Sequence, residues 1–248
     1  MDIKEEEEIQ KEFQLERAVL FTDAVFAIIL TIMVLELRLP EGIGHETEGH
    51  IIKAYEQLIL KFLAYTVSFF LVARFWIAHI KLFRFLKDYD IKLLALNLLF
   101  LFTVTLFPFA ISLITSGIND QLSEFNWGHT IYILIFYSSI FTQSLITRYL
   151  LKNREKLCIN ILKLETNLKW KIQRINIALI PVLMVVVLVF NYYQTIFYYP
   201  WATVVVYAWI TKRLSRAYYP GSDKGPLIAQ LYRKIKTIKI KKRITPAG

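Results

Sequence analysis

The chain has 248 residues, of which 56% are hydrophobic and 15% aromatic, and its formal net charge is +10. Soluble domains average about 45–50% apolar residues, so this excess argues against an ordinary soluble domain. The single cysteine excludes an internal disulfide. In a membrane protein, a positive charge indicates topology and contact with anionic lipid rather than a nucleic-acid partner.

Several apolar segments are about long enough to cross a bilayer as helices. In chain order they are residues 18–38, 57–80, 91–115, 129–149, 174–191 and 194–211. The fifth carries Pro181, which membrane helices tolerate when neighbouring helices satisfy the freed backbone groups. The polar stretch "NYYQ" and Pro200 separate the fifth segment from the sixth. We therefore expect an all-α integral membrane protein with six transmembrane helices.

Lysine and arginine alternate between the connections. The connection 148–174 contains eight and the tail from Lys212 onward contains eleven, whereas the connection 116–128 contains none. The positive-inside rule then predicts an even number of spans, with both termini in the cytoplasm of a cell-membrane protein. The expected organisation is a cytoplasmic segment 1–16, a membrane domain 17–212 and a basic tail 213–248, which can contact anionic lipid.

Motifs for catalysis are missing from the sequence. It has no metal-ligand spacing of histidine and cysteine, no phosphate-binding glycine loop and no nucleophile elbow. We therefore expect no enzymatic activity, no bound metal and no organic cofactor.

The first apolar segment contains a carboxylate, Asp23, about 9 Å from its cytoplasmic start. By the same rise per residue, Arg74, Trp76 and Asn97 of the second and third segments lie at a similar depth. A buried hydrogen-bond network joining the first three helices accounts for this layer, with Arg17 and His79 at its cytoplasmic edge. The competing interpretation is that Asp23 binds an ion or a proton.

The remainder of the first helix carries an apolar stripe. Ile28, Thr31, Ile32 and Leu35 follow the i, i+3, i+4, i+7 rule, and Ile28 lies close to the bilayer midplane. Asp23 points about 140° away from Ile28 on the helical wheel. On its own, such a stripe is typical of helix packing or of contact with lipid.

The segment "RAVLFTDAVFAI" resembles the R-x-x-x-F-S-D-x-x-F-A-[IV] signature of the bacterial transmembrane protein 175 family of potassium channels. The match includes Arg17, Phe21, Thr22 and Asp23, with threonine at the usual serine position. The segments "FFLVARFWIAHIKLF" and "LNLLFLFTVTLFPF" resemble the second and third helices of that family. The resemblance covers about residues 1–115.

This resemblance implies a homotetramer of six-helix subunits around a central pore, without the TVGYG carbonyl filter of ordinary potassium channels. It implies a constriction at Ile28, further layers at Ile32 and Leu35, and Thr31 near the constriction. The cluster from Arg17 to Asp23 is implied to hold the first helix against the second and third. The expected activity is a potassium-permeable cation channel with a modest preference for potassium over sodium, and potassium ions need no cofactor to permeate.

Other functions stay open from the sequence. A secondary transporter with a polar site near Asp23 would show inverted repeats and broken helices, and Pro108 and Pro181 could mark such breaks. Few polar residues lie near the midplane, which argues against it. A membrane-embedded enzyme lacks a catalytic cluster, and a structural scaffold is not excluded by the sequence.

Overall fold

The computed structural model describes residues 3–37, 48–116, 122–158, 169–193 and 199–219. These residues form α-helices, joined by short connections. In chain order the helices are α1 (Ile3–Ile32), α2 (Glu48–Phe83), α3 (Ile91–Thr105), α4 (Phe107–Ser116), α5 (Leu122–Lys152), α6 (Arg154–Leu157), α7 (Trp170–Tyr192) and α8 (Tyr199–Tyr218). The all-α class predicted from the sequence is therefore confirmed.

Helix α1 changes its winding at its C-terminal end. The α-helix gives way to a 3₁₀ turn at Met33–Glu36, and the Leu37 N–H donates to the Val34 carbonyl at 3.0 Å. In a 3₁₀ turn, side chains three residues apart eclipse one another. Leu35 therefore lies directly beyond Ile32 along the helix.

The third predicted segment, 91–115, is two helices rather than one. Helix α3 begins at Asp90, whose side chain accepts from the Leu93 N–H at 2.8 Å, and it ends before Leu106. Helix α4 then begins immediately before Pro108. Proline has no N–H to continue the ladder and its ring crowds the preceding turn, which explains the break. The two pieces still form one apolar stretch, Ile91–Thr115, of membrane-spanning length.

Helix α5 is the central helix of the described part. Its side chains hydrogen-bond four other helices. Tyr132 pairs with Ser68 of α2 at 2.8 Å, Thr142 with Thr103 of α3 at 3.4 Å, Ser144 with Gln173 of α7 at 2.6 Å, and Tyr137 with Thr203 of α8 at 3.0 Å. These polar links fix which face of α5 each neighbouring helix covers.

The basic connection between α2 and α3 and the basic stretch that follows α5 meet at one end of the helices. The Lys87 N–H donates to the Leu157 carbonyl at 2.9 Å, and the Lys87 ammonium donates to the Glu155 carbonyl at 2.9 Å. Leu86 and Cys158 form an isolated antiparallel bridge in the same place. The two connections therefore lie on the same side of the helices, as the alternation of basic connections predicted.

Five of the described helical stretches are long and apolar enough to cross a membrane. They are Phe13–Glu36, Gln57–Phe83, Ile91–Thr115, Trp127–Lys152 and Trp170–Tyr192. They coincide with the first five predicted segments, and α7 is longer than the predicted 174–191. Pro181 lies inside α7 without ending it.

The sixth predicted segment, 194–211, falls partly outside the described residues. Helix α8 covers its remainder, but Lys212, Arg213 and Arg216 all lie in the last two turns of α8. These charges shorten the apolar part of α8. The sixth span therefore stays a prediction.

The chain divides into two units, Met1–Tyr207 and Ala208–Gly248, so that α8 begins in the first unit and ends in the second. The first unit contains the apolar core, which includes Phe26, Phe100 and Phe107. The described part of the second unit is the end of α8, where the Arg213 guanidinium lies 5.2 Å from the centre of the Trp209 ring. The rest of the predicted tail 213–248 beyond Tyr219 lies outside the described residues.

Candidate functional site

The predicted stripe of α1 is exposed on the surface of the protomer. Ile28 is 55% exposed, Ile32 43% and Leu35 65%. Thr31 is also exposed, and its hydroxyl lies 3.0 Å from the Ala27 carbonyl and 2.8 Å from the Ile28 carbonyl of its own helix. Because that hydroxyl is bonded to the backbone, the stripe is an apolar surface along about two turns.

The opposite face of α1 is buried in the core. Phe26 is 1% exposed, Ile29 4% and Met33 0%. The Phe26 ring lies 6.0 Å from the ring of Phe100 on α3, measured between centroids. The contrast between the two faces fixes which side of α1 is available to another molecule.

Below the stripe, a buried hydrogen-bonded chain joins α1, α3 and α2. The Asn97 amide donates to the Thr22 hydroxyl at 2.9 Å, and the Asn97 carbonyl lies 2.8 Å from His79 Nε2. Since a carbonyl can only accept, Nε2 must carry the proton. The Thr22 hydroxyl in turn donates to the Ala18 carbonyl at 2.9 Å. Thr22, His79 and Asn97 are all buried.

Aromatic rings enclose the histidine of this chain. The His79 ring stacks on Phe83 with centroids 4.0 Å apart, and it lies parallel to Phe100 with centroids 5.7 Å apart. These contacts hold the ring in the orientation that its bond to Asn97 requires.

A second hydrogen bond ties the neighbouring residue of α1 to α2. The Trp76 indole N–H donates to the Asp23 carboxylate at 2.8 Å, and both side chains are half-buried. Thr22 and Asp23 thus anchor one turn of α1 to α3 and to α2 respectively. The structure therefore brings together five of the predicted network residues, Thr22, Asp23, Trp76, His79 and Asn97.

Three further predicted members lie apart from this cluster. Arg17 and Phe21 are exposed, and the Arg17 guanidinium lies 5.9 Å from the centre of the Phe13 ring. They precede Ile28 by eleven and seven residues, spacings that place them on the same side of α1 as the stripe rather than on the Asp23 side.

Arg74 is the third of these residues, and it is also exposed. It is two residues, or about 200°, from Trp76 on α2, so only one of the two can face α1. Among the described residues, the charge of Arg74 acts on Tyr207 of α8. Estimating depth alone placed Arg74 beside Asp23 because that estimate ignored the direction around the helix.

One polar site was missed by the sequence reasoning. Asp90 caps α3 and also accepts from the Tyr149 hydroxyl of α5 at 2.5 Å. Burial raises the pKa of this carboxyl, but the hydrogen bonds from Tyr149 and Leu93 and the charges of Lys156 and Lys92 together hold the pKa below its usual value. An aspartate directly before an apolar run is an N-cap signal, so the sequence did contain a clue to it.

Comparison with protein families matches residues 17–108 to the family described as endosomal/lysosomal potassium channel TMEM175. A potassium channel of Chryseobacterium sp. (strain P1-3) is 40% identical over 90 residues, which are 36% of this chain and 43% of that protein. A potassium channel of Streptomyces collinus is 29% identical over 101 residues, which are 41% of this chain and 48% of that protein. The match thus spans less than half the length of these curated relatives.

An animal relative and a solved structure extend the comparison. The endosomal/lysosomal proton channel TMEM175 of Gallus gallus is 27% identical over 147 residues, which are 57% of this chain and 29% of that protein. The crystal structure of a lysosomal potassium-selective channel TMEM175 homolog from Chamaesiphon minutus superposes with a TM-score of 0.59 at 19% identity, covering 82% of this chain and 96% of that one. This superposition shows that the fold is shared.

Proposed function

We propose that this protein is a potassium-permeable cation channel, because residues 17–108 match the family described as endosomal/lysosomal potassium channel TMEM175 and the curated relatives are described as ion channels. The observation that carries the proposal is the exposed stripe of α1, which lies inside the matched segment. The two bacterial relatives named above are described as potassium channels, and one of them is more similar to this chain than the animal proton channel is. These descriptions favour potassium as the permeant ion, and the proposed permeation needs no cofactor.

In the proposed assembly, four copies of the chain form a homotetramer with α1 of each copy at the central axis. Ile28 forms the narrowest ring, and Ile32 and Leu35 form further apolar layers. The side chains of this stripe are between 43% and 65% exposed on the protomer, so they are available for such contacts. The rotation of α1 that exposes them is held by the bonds of Thr22 and Asp23 on its other side.

An apolar ring of this kind can close a pore by excluding water, and it can favour the cation that loses its hydration shell more readily. Potassium is that cation in comparison with sodium, so a modest potassium preference requires no backbone-carbonyl filter. The segment TVGYG, which forms such a filter elsewhere, does not occur in the sequence.

The proposed topology has six spans in the cell membrane, with both termini in the cytoplasm. It is supported by the pairing of Lys87 with Leu157 and Glu155, which puts two basic connections at one end of the helices. On this topology, the basic tail 213–248 lies in the cytoplasm, where it can contact anionic lipid.

The transporter alternative is not favoured. The matched relatives are described as channels, and Asp23 accepts a hydrogen bond from Trp76. A proton pathway remains a second candidate, because the animal relatives are described as proton channels.

Planar-bilayer recording of the Ile28→Asn variant tests the proposed constriction. Four amides in place of four apolar side chains should make the ring easier to hydrate, so we expect higher conductance and reduced discrimination between potassium and sodium, with the tetramer intact. Proton flux measured in the same preparation tests the second candidate.

Two control variants separate a pore effect from a general one. Val182→Asn introduces the same asparagine in place of a residue of α7 that is 59% exposed. Ile29→Val makes a small change on the buried face of α1. Both should leave ion preference unchanged. If Ile28→Asn assembles normally and conducts like the wild type, α1 does not form the constriction.

A further inference from the structure

Arg74 places a positive charge on an exposed face of a membrane-spanning helix. It lies within the span Gln57–Phe83, nine residues before its end. Ionisable side chains in spans normally face the protein interior and pair with another group. An arginine that instead lies on the surface of a span is accessible to a partner from outside the protomer.

The face around Arg74 combines cations with apolar side chains. Lys81 is exposed seven residues later, about 10 Å along the same side of α2 and close to its end. Phe70 is 66% exposed and Ile77 is 47% exposed on this side. Relative to Arg74, Phe70 thus lies towards the membrane centre, whereas Ile77 and then Lys81 lie towards the helix end.

Protein carboxylates are poorly placed to pair with Arg74. Within the five described spans, the acidic residues are Glu16 and Asp23 of α1 and Glu36 of the 3₁₀ turn that follows it. Trp76 is the α2 residue that turns towards α1, and Arg74 points about 200° away from it. The chemistry that fits Arg74 is therefore a mobile anion at the level of the membrane interface.

The phosphate of a phospholipid has this chemistry. A guanidinium can donate two parallel hydrogen bonds to phosphate oxygens, and a long arginine side chain can reach towards the interface while its stem stays in the apolar layer. Tyr207 of α8 lies close enough to feel the charge of Arg74, so this face is not wholly apolar. Lys81 adds a second positive charge that favours a lipid with net negative charge.

We infer that the face of α2 formed by Phe70, Arg74, Ile77 and Lys81 binds an anionic phospholipid. Its phosphate pairs with Arg74, its headgroup extends past Ile77 towards Lys81, and its acyl chains run in the opposite direction and cover Phe70. This site is distinct from the basic tail, and it does not depend on what permeates the channel.

Native mass spectrometry of the full-length, delipidated protein tests the site. Phosphatidylglycerol and phosphatidylcholine with the same acyl chains are titrated separately, and the apparent dissociation constant of the first bound lipid is measured. We expect tighter binding of phosphatidylglycerol. In Arg74→Gln its affinity should fall by about tenfold or more, as the loss of hydrogen bonds to a charged group implies, while phosphatidylcholine binding changes little.

Matched variants make the result specific. Arg174→Gln removes an exposed arginine from the first turns of α7 and should leave the lipid preference intact. Arg74→Lys keeps the charge without the paired donors and should bind with intermediate affinity, which provides a test if Arg74→Gln does not fold. Equal losses in Arg74→Gln and Arg174→Gln, or no loss in either, would overturn the inference. Dissociation of the lipid-free oligomer by Arg74→Gln would also overturn it, because Arg74 would then pair with a second copy.

Discussion

Replacing Asn97 with leucine isolates the contribution to stability of the hydrogen-bonded chain Thr22–Asn97–His79, which anchors α1. Leucine has the same number and branching of side-chain heavy atoms, so the shape of the side chain at this 1% exposed position is largely kept. The change removes the donor to Thr22 and the acceptor for His79. Thr22 keeps its bond to the Ala18 carbonyl, but the buried His79 N–H loses its acceptor.

The expected loss of unfolding free energy follows from these contacts. A buried donor left without a partner costs about 1–3 kcal/mol in soluble proteins. Hydrogen bonds between membrane helices average only ~0.6 kcal/mol, so two lost bonds give a lower value of about 1.2 kcal/mol. We therefore expect Asn97→Leu to lower the stability by about 1–3 kcal/mol.

Reversible unfolding in detergent with increasing dodecyl sulfate, followed by tryptophan fluorescence, measures this loss. Thr66→Val is the matched control and should have little effect, because among the described residues the partly exposed Thr66 hydroxyl bonds the Phe62 carbonyl of its own helix at 2.7 Å. His79→Phe combined with Asn97→Leu should cost less than the sum of the single changes, since neither polar group is then left alone. If Asn97→Leu is as stable as Thr66→Val, Asn97 does not anchor α1. If the two losses add, His79 and Asn97 are not coupled, and the hydrogen-bonded chain does not extend to α2.

Two other predictions concern the contacts of α5. An added Cβ at Gly128 would lie 2.8 Å from the Leu113 carbonyl oxygen, so Gly128→Ala should force α4 and α5 apart and lower the melting temperature. A higher melting temperature, from the better helix propensity of alanine, would show that the two helices can move apart without loss of stability. Asp90 has a depressed pKa in the folded protein, so its contribution is complete above the usual aspartate pKa and is lost as pH falls through the folded value. Melting curves from neutral to acidic pH should therefore show a smaller acid loss in Asp90→Asn, and an unchanged loss would contradict the assignment.

Much of the helical framework could be predicted from apolar length. A membrane-spanning helix needs about 20 apolar residues, and that pattern is readable without knowing any contact. The break at Leu106 was considered only for the transporter alternative, where Pro108 and Pro181 could both mark breaks. Proline bends some membrane helices and ends others, and α7 continues through Pro181 without interruption. The same criterion predicted the sixth segment, 194–211, but the described part of it is short and is followed by the charges at the end of α8, so this span stays a prediction.

The candidate site was predictable in depth but not in direction. The rise per residue placed Asp23, Trp76 and Asn97 in one layer, and in the structure Asp23 bonds Trp76 of α2 while its neighbour Thr22 bonds Asn97 of α3. The direction around each helix depends on how the helices pack, which no count along the chain provides. For this reason Arg74 was assigned to the network and lies outside it.

The arrangement of α1 connects this anchoring to the proposed pore. Thr22 and Asp23 are consecutive, so their side chains leave the helix about 100° apart and bond two different helices. Two bonds in different directions resist rotation of α1 about its axis, which a single bond would allow. Ile28 is only five residues beyond Asp23, about 7.5 Å along the helix, so its direction follows that of the anchored turn. In a pore closed by four isoleucines, the width of the ring depends on that direction. Loosening the anchor should therefore change permeation even when Ile28 itself is intact.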